Sequence, residues 1–191
     1  MVNNDRNKSI DAMKGLLILL VVIGHVLLGS LDDNPLRYLI YSFHMQAFFF
    51  LSGYLFNVEK IKYYSFNNLC SKYWKRMLKM WLIAWLVYTI YAIRDDFSII
   101  SILRLIYNPY YHLWFIPALF LTIVISHFVL RNVKSMAVSL CILLTLGIFT
   151  YNLSRSEFKL SSFISLNTSL FFFLGLILRR IPPINSKLVG G

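Results

Sequence analysis

Six runs of apolar residues, at about 13–31, 38–56, 77–93, 113–130, 136–151 and 161–178, alternate with polar and basic stretches along the chain. Each holds roughly 16 to 19 residues, near the lower limit for a helix that crosses a bilayer. The pattern predicts an all-α fold, a polytopic integral membrane helix bundle of about six transmembrane helices. No internal repeat, low-complexity tract or linker marks a second domain, so residues 1–191 read as one transmembrane domain. The first run is read as a retained helix, because five more follow it and no small-residue cleavage site ends it.

Within that first run, DAMKGLLILLVVIGHVLLGS from Asp11 to Ser30, two polar positions stand out. Lys14 and His25 are eleven residues apart. At about 100° per residue that is three turns plus about 20°, so both side chains share one face, roughly 16 Å apart along the axis. Taken singly, Lys14 reads as a snorkelling anchor at the cytoplasmic interface and His25 as an interhelical hydrogen-bonder. A shared face in an otherwise apolar helix adds a second reading, that of groups facing a protein interior or a water-filled cavity.

Composition supports the membrane assignment. The chain is 58% hydrophobic and 14% charged, with a mean hydropathy of +0.65, too apolar for a water-soluble domain. The net charge of +11 does not point to nucleic acid, because the basic residues sit between apolar runs rather than on a polar face. With the N-terminus in the cytoplasm, the inner segments carry fourteen of the nineteen Lys and Arg, and the outer segments carry Arg37, Arg94, Arg104, Arg155 and Lys159. That bias predicts both termini in the cytoplasm and a multi-pass protein of the plasma (inner) membrane. His25, His44 and His112 then lie toward the outer leaflet on the first, second and fourth helices, and His127 lies near the inner end of the fourth.

The carboxylates narrow the chemistry. Asp5, Asp11, Asp32, Asp33, Glu59, Asp95, Asp96 and Glu157 all lie at or beyond the ends of the apolar runs. No acidic pair is available for glycosidase chemistry or a carboxylate proton relay, which leaves histidine as the base in the membrane. Cys70 and Cys141 have neither metal-like nor disulfide-like spacing, and no metal site is expected. The stretch 57–79 interleaves Lys60, Lys62, Lys72, Lys75, Arg76 and Lys79 with tyrosine and tryptophan. It suits a phosphate-rich ligand, or equally anionic lipid at the inner interface. Phe97 to Trp114 reads as an interfacial amphipathic segment. Ser52 lacks the strand-turn-helix setting of a nucleophilic serine, and Ser52 and Gly53 read instead as small residues that admit a close helix neighbour.

Four motifs, in order, resemble those of the membrane acyltransferase-3 family. Asp11-x-x-Lys14-Gly15 with His25 resembles its Arg/Lys-x10-His signature. Ser42-Phe-His-Met-Gln-Ala-Phe-Phe-Phe-Leu-Ser-Gly-Tyr-Leu55 resembles its second-helix pattern HMPLFFFLSGYL. Tyr73-Trp-Lys-Arg-Met-Leu-Lys79 resembles its basic approach to the third helix, and His112-Leu-Trp-Phe-Ile-Pro-Ala-Leu119 its HLWFL element. The match is nearest in character to the fucose 4-O-acetylase-like branch. Lysine stands at 14 where arginine is commoner, and Gln46-Ala47 replaces Pro-Leu. Relatives have about ten helices, so the chain corresponds to the N-terminal part of a typical member and is expected to be incomplete at its C-terminus, with a partner chain as one source of further helices.

The resemblance implies a membrane O-acyltransferase that moves an acyl group, acetyl first, from cytoplasmic acyl-coenzyme A to a glycan or glycolipid outside, without a metal. Carried over by position, Lys14 and His25 match the essential pair, and Lys14, Arg76 and Lys79 the coenzyme-binding cations. His44, His112 and Trp114 match acceptor-side positions, and Asp11, Ser52 and Gly53 match family positions of lesser role. A non-catalytic membrane subunit and a small glycan or lipid transporter are the alternative readings.

Overall fold

The computed structural model describes residues 8–27, 34–92, 94, 98, 100, 111–155 and 168–180, and among these every regular element is a helix. Helix α1 spans Lys8–Val26. Helix α2, Pro35–Tyr54, starts where Asn34 Oδ1 accepts the Arg37 N–H at 3.1 Å and Pro35 fills the first helical position. Two short helices follow, each capped by a side chain. Asn57 Oδ1 takes the Lys60 N–H at 2.9 Å to open α3, Val58–Lys62, and Ser65 Oγ takes the Asn68 N–H at 3.3 Å to open α4, Phe66–Tyr73. Helix α4 runs through a π-helical turn, Trp74–Leu78, into α5, Lys79–Ala92. A 3₁₀ turn, Tyr111–Trp114, leads into α6, Phe115–Asn132. Helices α7, Met136–Arg155, and α8, Ser169–Leu178, complete the described chain.

Two of these helices, α1 and α6, are long and apolar enough to cross a membrane. Helix α2 is as long, but Arg37, Ser42, His44, Gln46 and Ser52 dilute its apolar character. Helix α5 alone has 14 residues, about 21 Å of helix, and α8 has 10, both short of a bilayer core of about 30 Å. Residues 28–31 and 161–167 of the expected spans lie outside the described residues, as does most of the interfacial segment expected at 97–114. Outward-facing surfaces are apolar: Leu16, Ile18, Leu19 and Val22 on α1 and Met80, Val87, Ile90 and Tyr91 on α5 are all more than half exposed. Apolar area of that extent suits lipid rather than water.

The core lies where α2, α6 and α8 meet, around Phe49, Phe56, Ala118, Ile123, Phe172 and Leu176. Helices α2 and α8 touch backbone to backbone. A Cβ on Gly53 would run into the Phe172 carbonyl, and one on Gly175 into the Phe50 carbonyl. This is the close approach that small residues permit between membrane helices, and it gives Gly53 the partner that the sequence left unnamed. Buried hydroxyls on α6 bond back up their own helix, Thr122 to the Ala118 carbonyl and Ser126 to the Thr122 carbonyl, both at 2.8 Å.

The basic stretch 57–79 is not a plain surface loop. Val58, Ile61, Leu69 and Tyr73 are buried in the core while Lys60, Lys75 and Lys79 stay exposed. Donors on α6 and at the end of α8 pin this elbow through its backbone carbonyls. His127 Nδ1 donates to the Ile61 carbonyl at 3.1 Å and Arg131 to the Tyr64 carbonyl at 3.1 Å. Arg179 reaches the Tyr54 and Phe56 carbonyls at 3.3 and 3.2 Å, satisfying the end of α2. His127 is therefore a buried structural donor, 1% exposed.

Candidate functional site

Helix α1 joins two clusters of polar side chains, one near each end. Its C-terminal end packs on α2 at Gly24, where an added Cβ would lie 3.0 Å from the Tyr41 ring and 3.2 Å from Ile40. That contact brings the next residue, His25, to the N-terminal half of α2. The Tyr41 ring meets His25 edge-on at 6.3 Å between centroids and His44 at 5.2 Å, and the Arg37 guanidinium lies over it at 5.4 Å. His25 is exposed, whereas His44 is 3% exposed, with Nδ1 2.6 Å from the Ile40 carbonyl. Because a carbonyl only accepts, Nδ1 carries the proton of that bond, and Nε2 of a neutral His44 keeps its lone pair for a ligand.

At the other end of α1 lies a cavity of about 320 Å³ between α1, the end of α2, the α3–α4 elbow, the π-helical turn and α6. Lys14, Lys72 and Arg76 supply its charge, Ser52, Asn57 and Tyr73 its neutral polar groups, and Leu119, Ile123 and Phe172 part of its apolar wall. Among the described residues no carboxylate lines it. Asp11 stands 3.7 Å from the Lys14 ammonium, one helical turn back, an ion pair too long for a strong hydrogen bond. Burial pushes the Tyr73 phenol above its ordinary range, against the pull of the Arg76 cation, so it stays a neutral hydroxyl. Lys72 sits over the Tyr64 and Tyr73 rings at 5.0 and 5.4 Å.

The positions singled out in the sequence divide between these clusters. Lys14 and Arg76, distant in sequence, line the same cavity. His25 and His44 meet around Tyr41 at the far end of α1. Lys79 heads α5, exposed and outside the cavity lining. Trp114 ends the 3₁₀ turn and packs on the core, and this turn is tied to α5 by the Trp81 indole donating to the Leu113 carbonyl at 2.7 Å. His112 lies in the same turn, its side chain outside the described residues.

Sequence reasoning did not single out Tyr41, and it named Lys72 only as one cation of the basic stretch 57–79, not as a site residue. For Lys72 a signal existed: it stands four residues before Arg76, the spacing of neighbours on a helix face. For Tyr41 the signal was three-dimensional, since only the α1–α2 packing brings it between the two histidines.

The family model for the acyltransferase-3 domain, described as an acyltransferase domain, matches residues 7–189. No curated protein and no solved structure matches the chain.

Proposed function

The chain belongs to the acyltransferase-3 family, and on that premise we propose that it moves an acyl group, acetyl first, from cytoplasmic acyl-coenzyme A to a hydroxyl of an extracytoplasmic glycan or glycolipid. What supports this reading most is the meeting of Lys14 and Arg76 at one cavity, with His25 at the opposite end of the helix that carries Lys14. Cations without a lining carboxylate suit phosphate, and a guanidinium binds it in two-pronged fashion. Phosphates of the donor occupy the cavity, with Lys79 at its approach, and the pantetheine arm runs outward along α1 over the roughly 16 Å to His25.

At that end His25 takes the proton of an acceptor hydroxyl. The freed oxygen attacks the thioester carbonyl, the carbon–sulfur bond breaks, and the departing coenzyme thiolate receives the proton, leaving an ester and free coenzyme A. His44 orients the acceptor through Nε2, and His112 and Trp114 flank it from the fourth apolar run. Both termini lie in the cytoplasm and the helices cross the inner membrane several times, the arrangement that the Lys and Arg bias favours.

Thiol release tests the reading. Protein in lipid nanodiscs, given acetyl-coenzyme A and a host glycan extract, is expected to liberate coenzyme A, and His25→Ala at equal folded amounts only to match the protein-free background. Equal release by His25→Ala would remove His25 from the mechanism. Thiol release that does not depend on added glycan would remove the acceptor half of the reading.

A further inference from the structure

We infer that Lys72 is a third phosphate-binding cation of the cavity that Lys14 and Arg76 line, held there by the faces of Tyr64 and Tyr73. The inference rests on the reading of that cavity as the donor-phosphate site and adds a residue outside the sequence motifs.

Charge balance is the first ground. Three cations line one cavity of about 320 Å³ and, among the described residues, no carboxylate does. Among the described residues neither Lys72 nor Arg76 has an acidic partner, and Lys14 has only a long contact to Asp11. Aromatic faces attract an ammonium but leave its charge uncancelled. Three like charges around one space repel each other until an anion of comparable charge enters. A phosphate-bearing group is such an anion, and a volume at the small end of ligand sites admits that part of a larger molecule.

Fixation of Lys72 is the second ground. It lies in the last turn of α4, directly before the π-helical turn that carries Arg76. A π-helical turn is wider than an α turn, and such turns recur at functional sites because they re-aim the side chains around them. Tyr73 is buried in the core, 8% exposed, and the backbone of Tyr64 is tied to α6 by Arg131. The Tyr73 ring packs against Phe120 at 6.2 Å between centroids and Tyr64 packs on the same core, so the fold seats both rings under the Lys72 ammonium. A flexible lysine on a free surface has no such seat.

The shared chemistry is a phosphate dianion or diester, supplied either by the coenzyme or by an anionic lipid headgroup. The test measures equilibrium binding of coenzyme A to protein in nanodiscs, one set made of zwitterionic lipid only and one containing phosphatidylglycerol. In zwitterionic discs Lys72→Gln is expected to weaken coenzyme A binding about 10-fold, the loss of one charge-assisted contact, and Lys72→Arg to restore most of it. Lys134→Gln, an exposed lysine remote from the cavity, is expected to leave it unchanged. Should Lys72→Gln fail to fold, Lys72→Met, which keeps the stem over the rings, replaces it.

Wild-type affinity in Lys72→Gln, with weakened binding in Arg76→Gln, would overturn the role of Lys72 and leave the donor reading intact. Absence of coenzyme A binding by the wild-type protein in zwitterionic discs would overturn both. Phosphatidylglycerol that competes with coenzyme A only while Lys72 is present would support the phosphate site and add lipid as a second occupant.

Discussion

Lys14 on α1 and Arg76 in the π-helical turn line one cavity, although an entire helix and the α3–α4 elbow separate them in the chain. The arrangement follows from the hairpin of α1 and α2, which carries the end of α2 back to the start of α1. The elbow then folds beneath, held by His127, Arg131 and Arg179 through backbone carbonyls. On the proposed reading a cation at 14 serves a phosphate, and the geometry of its contact decides how well. Lys14→Arg is expected to keep at least half of the activity, whereas Lys14→Gln is expected to raise the KM for acetyl-coenzyme A by about 10-fold or more. Steady-state kinetics with varied donor concentration check both.

The proposed function places acceptor handling at the other end of α1. His44→Ala removes the nitrogen offered beside His25 and leaves the Ile40 carbonyl without that donor. It is expected to lower kcat/KM for the acceptor about 10-fold or more, with the affinity for coenzyme A unchanged. Parallel titrations of donor and acceptor separate the two effects.

Contact between α2 and α8 makes Gly53 and Gly175 the least replaceable positions of the core. Each faces a backbone carbonyl, which cannot yield as a flexible side chain does. Gly53→Ala and Gly175→Ala are each expected to destabilise the fold by about 1–3 kcal/mol or more, the range for overpacking. Thermal melting in detergent is the check, and Gly15→Ala, where an added Cβ meets nothing within 4 Å, is the matched control.

Two neighbouring arginines at the end of α8 are expected to differ. Arg179 serves two carbonyls at the end of α2, so Arg179→Met is expected to cost about 1–2 kcal/mol. Arg180 pairs with Glu59, whose side chain is 68% exposed. Glu59→Gln is expected to change stability by less than about 0.5 kcal/mol, since exposed ion pairs contribute little. The same melting experiment ranks them.

Topology has its own test. In a background with Cys70 and Cys141 replaced by serine, a cysteine at Lys60 is expected to react with an impermeant thiol reagent from the cytoplasmic side, and one at Ser98 from the opposite side. Labelling of both from one side would contradict the multi-pass orientation.

Much of this was legible in the sequence, for reasons that show where such reading stops. The apolar runs at about 13–31 and 38–56 are local signals, and helices α1 and α2 form over most of them. The spacing of Lys14 and His25 on one face needs only a continuous helix, and α1 is continuous. The elbow was harder. Val58, Ile61, Leu69 and Tyr73 are core residues interspersed among lysines, and the cations dominate the composition while the buried positions decide the fold. The cavity was out of reach because it depends on the π-helical turn and on α2 meeting α8 at Gly53 and Gly175, both consequences of tertiary packing. Gly53 announced a close neighbour without saying which helix it would be.

One measurement bears on the central claim more directly than any other. Membrane vesicles containing the inserted protein are given labelled acetyl-coenzyme A on the cytoplasmic side and a glycan acceptor on the other, and label on the glycan is counted. The account predicts label with the wild-type protein and its loss in both His25→Ala and Lys14→Ala at equal inserted amounts. Undiminished label in His25→Ala, or no label from well-inserted wild-type protein, would contradict it.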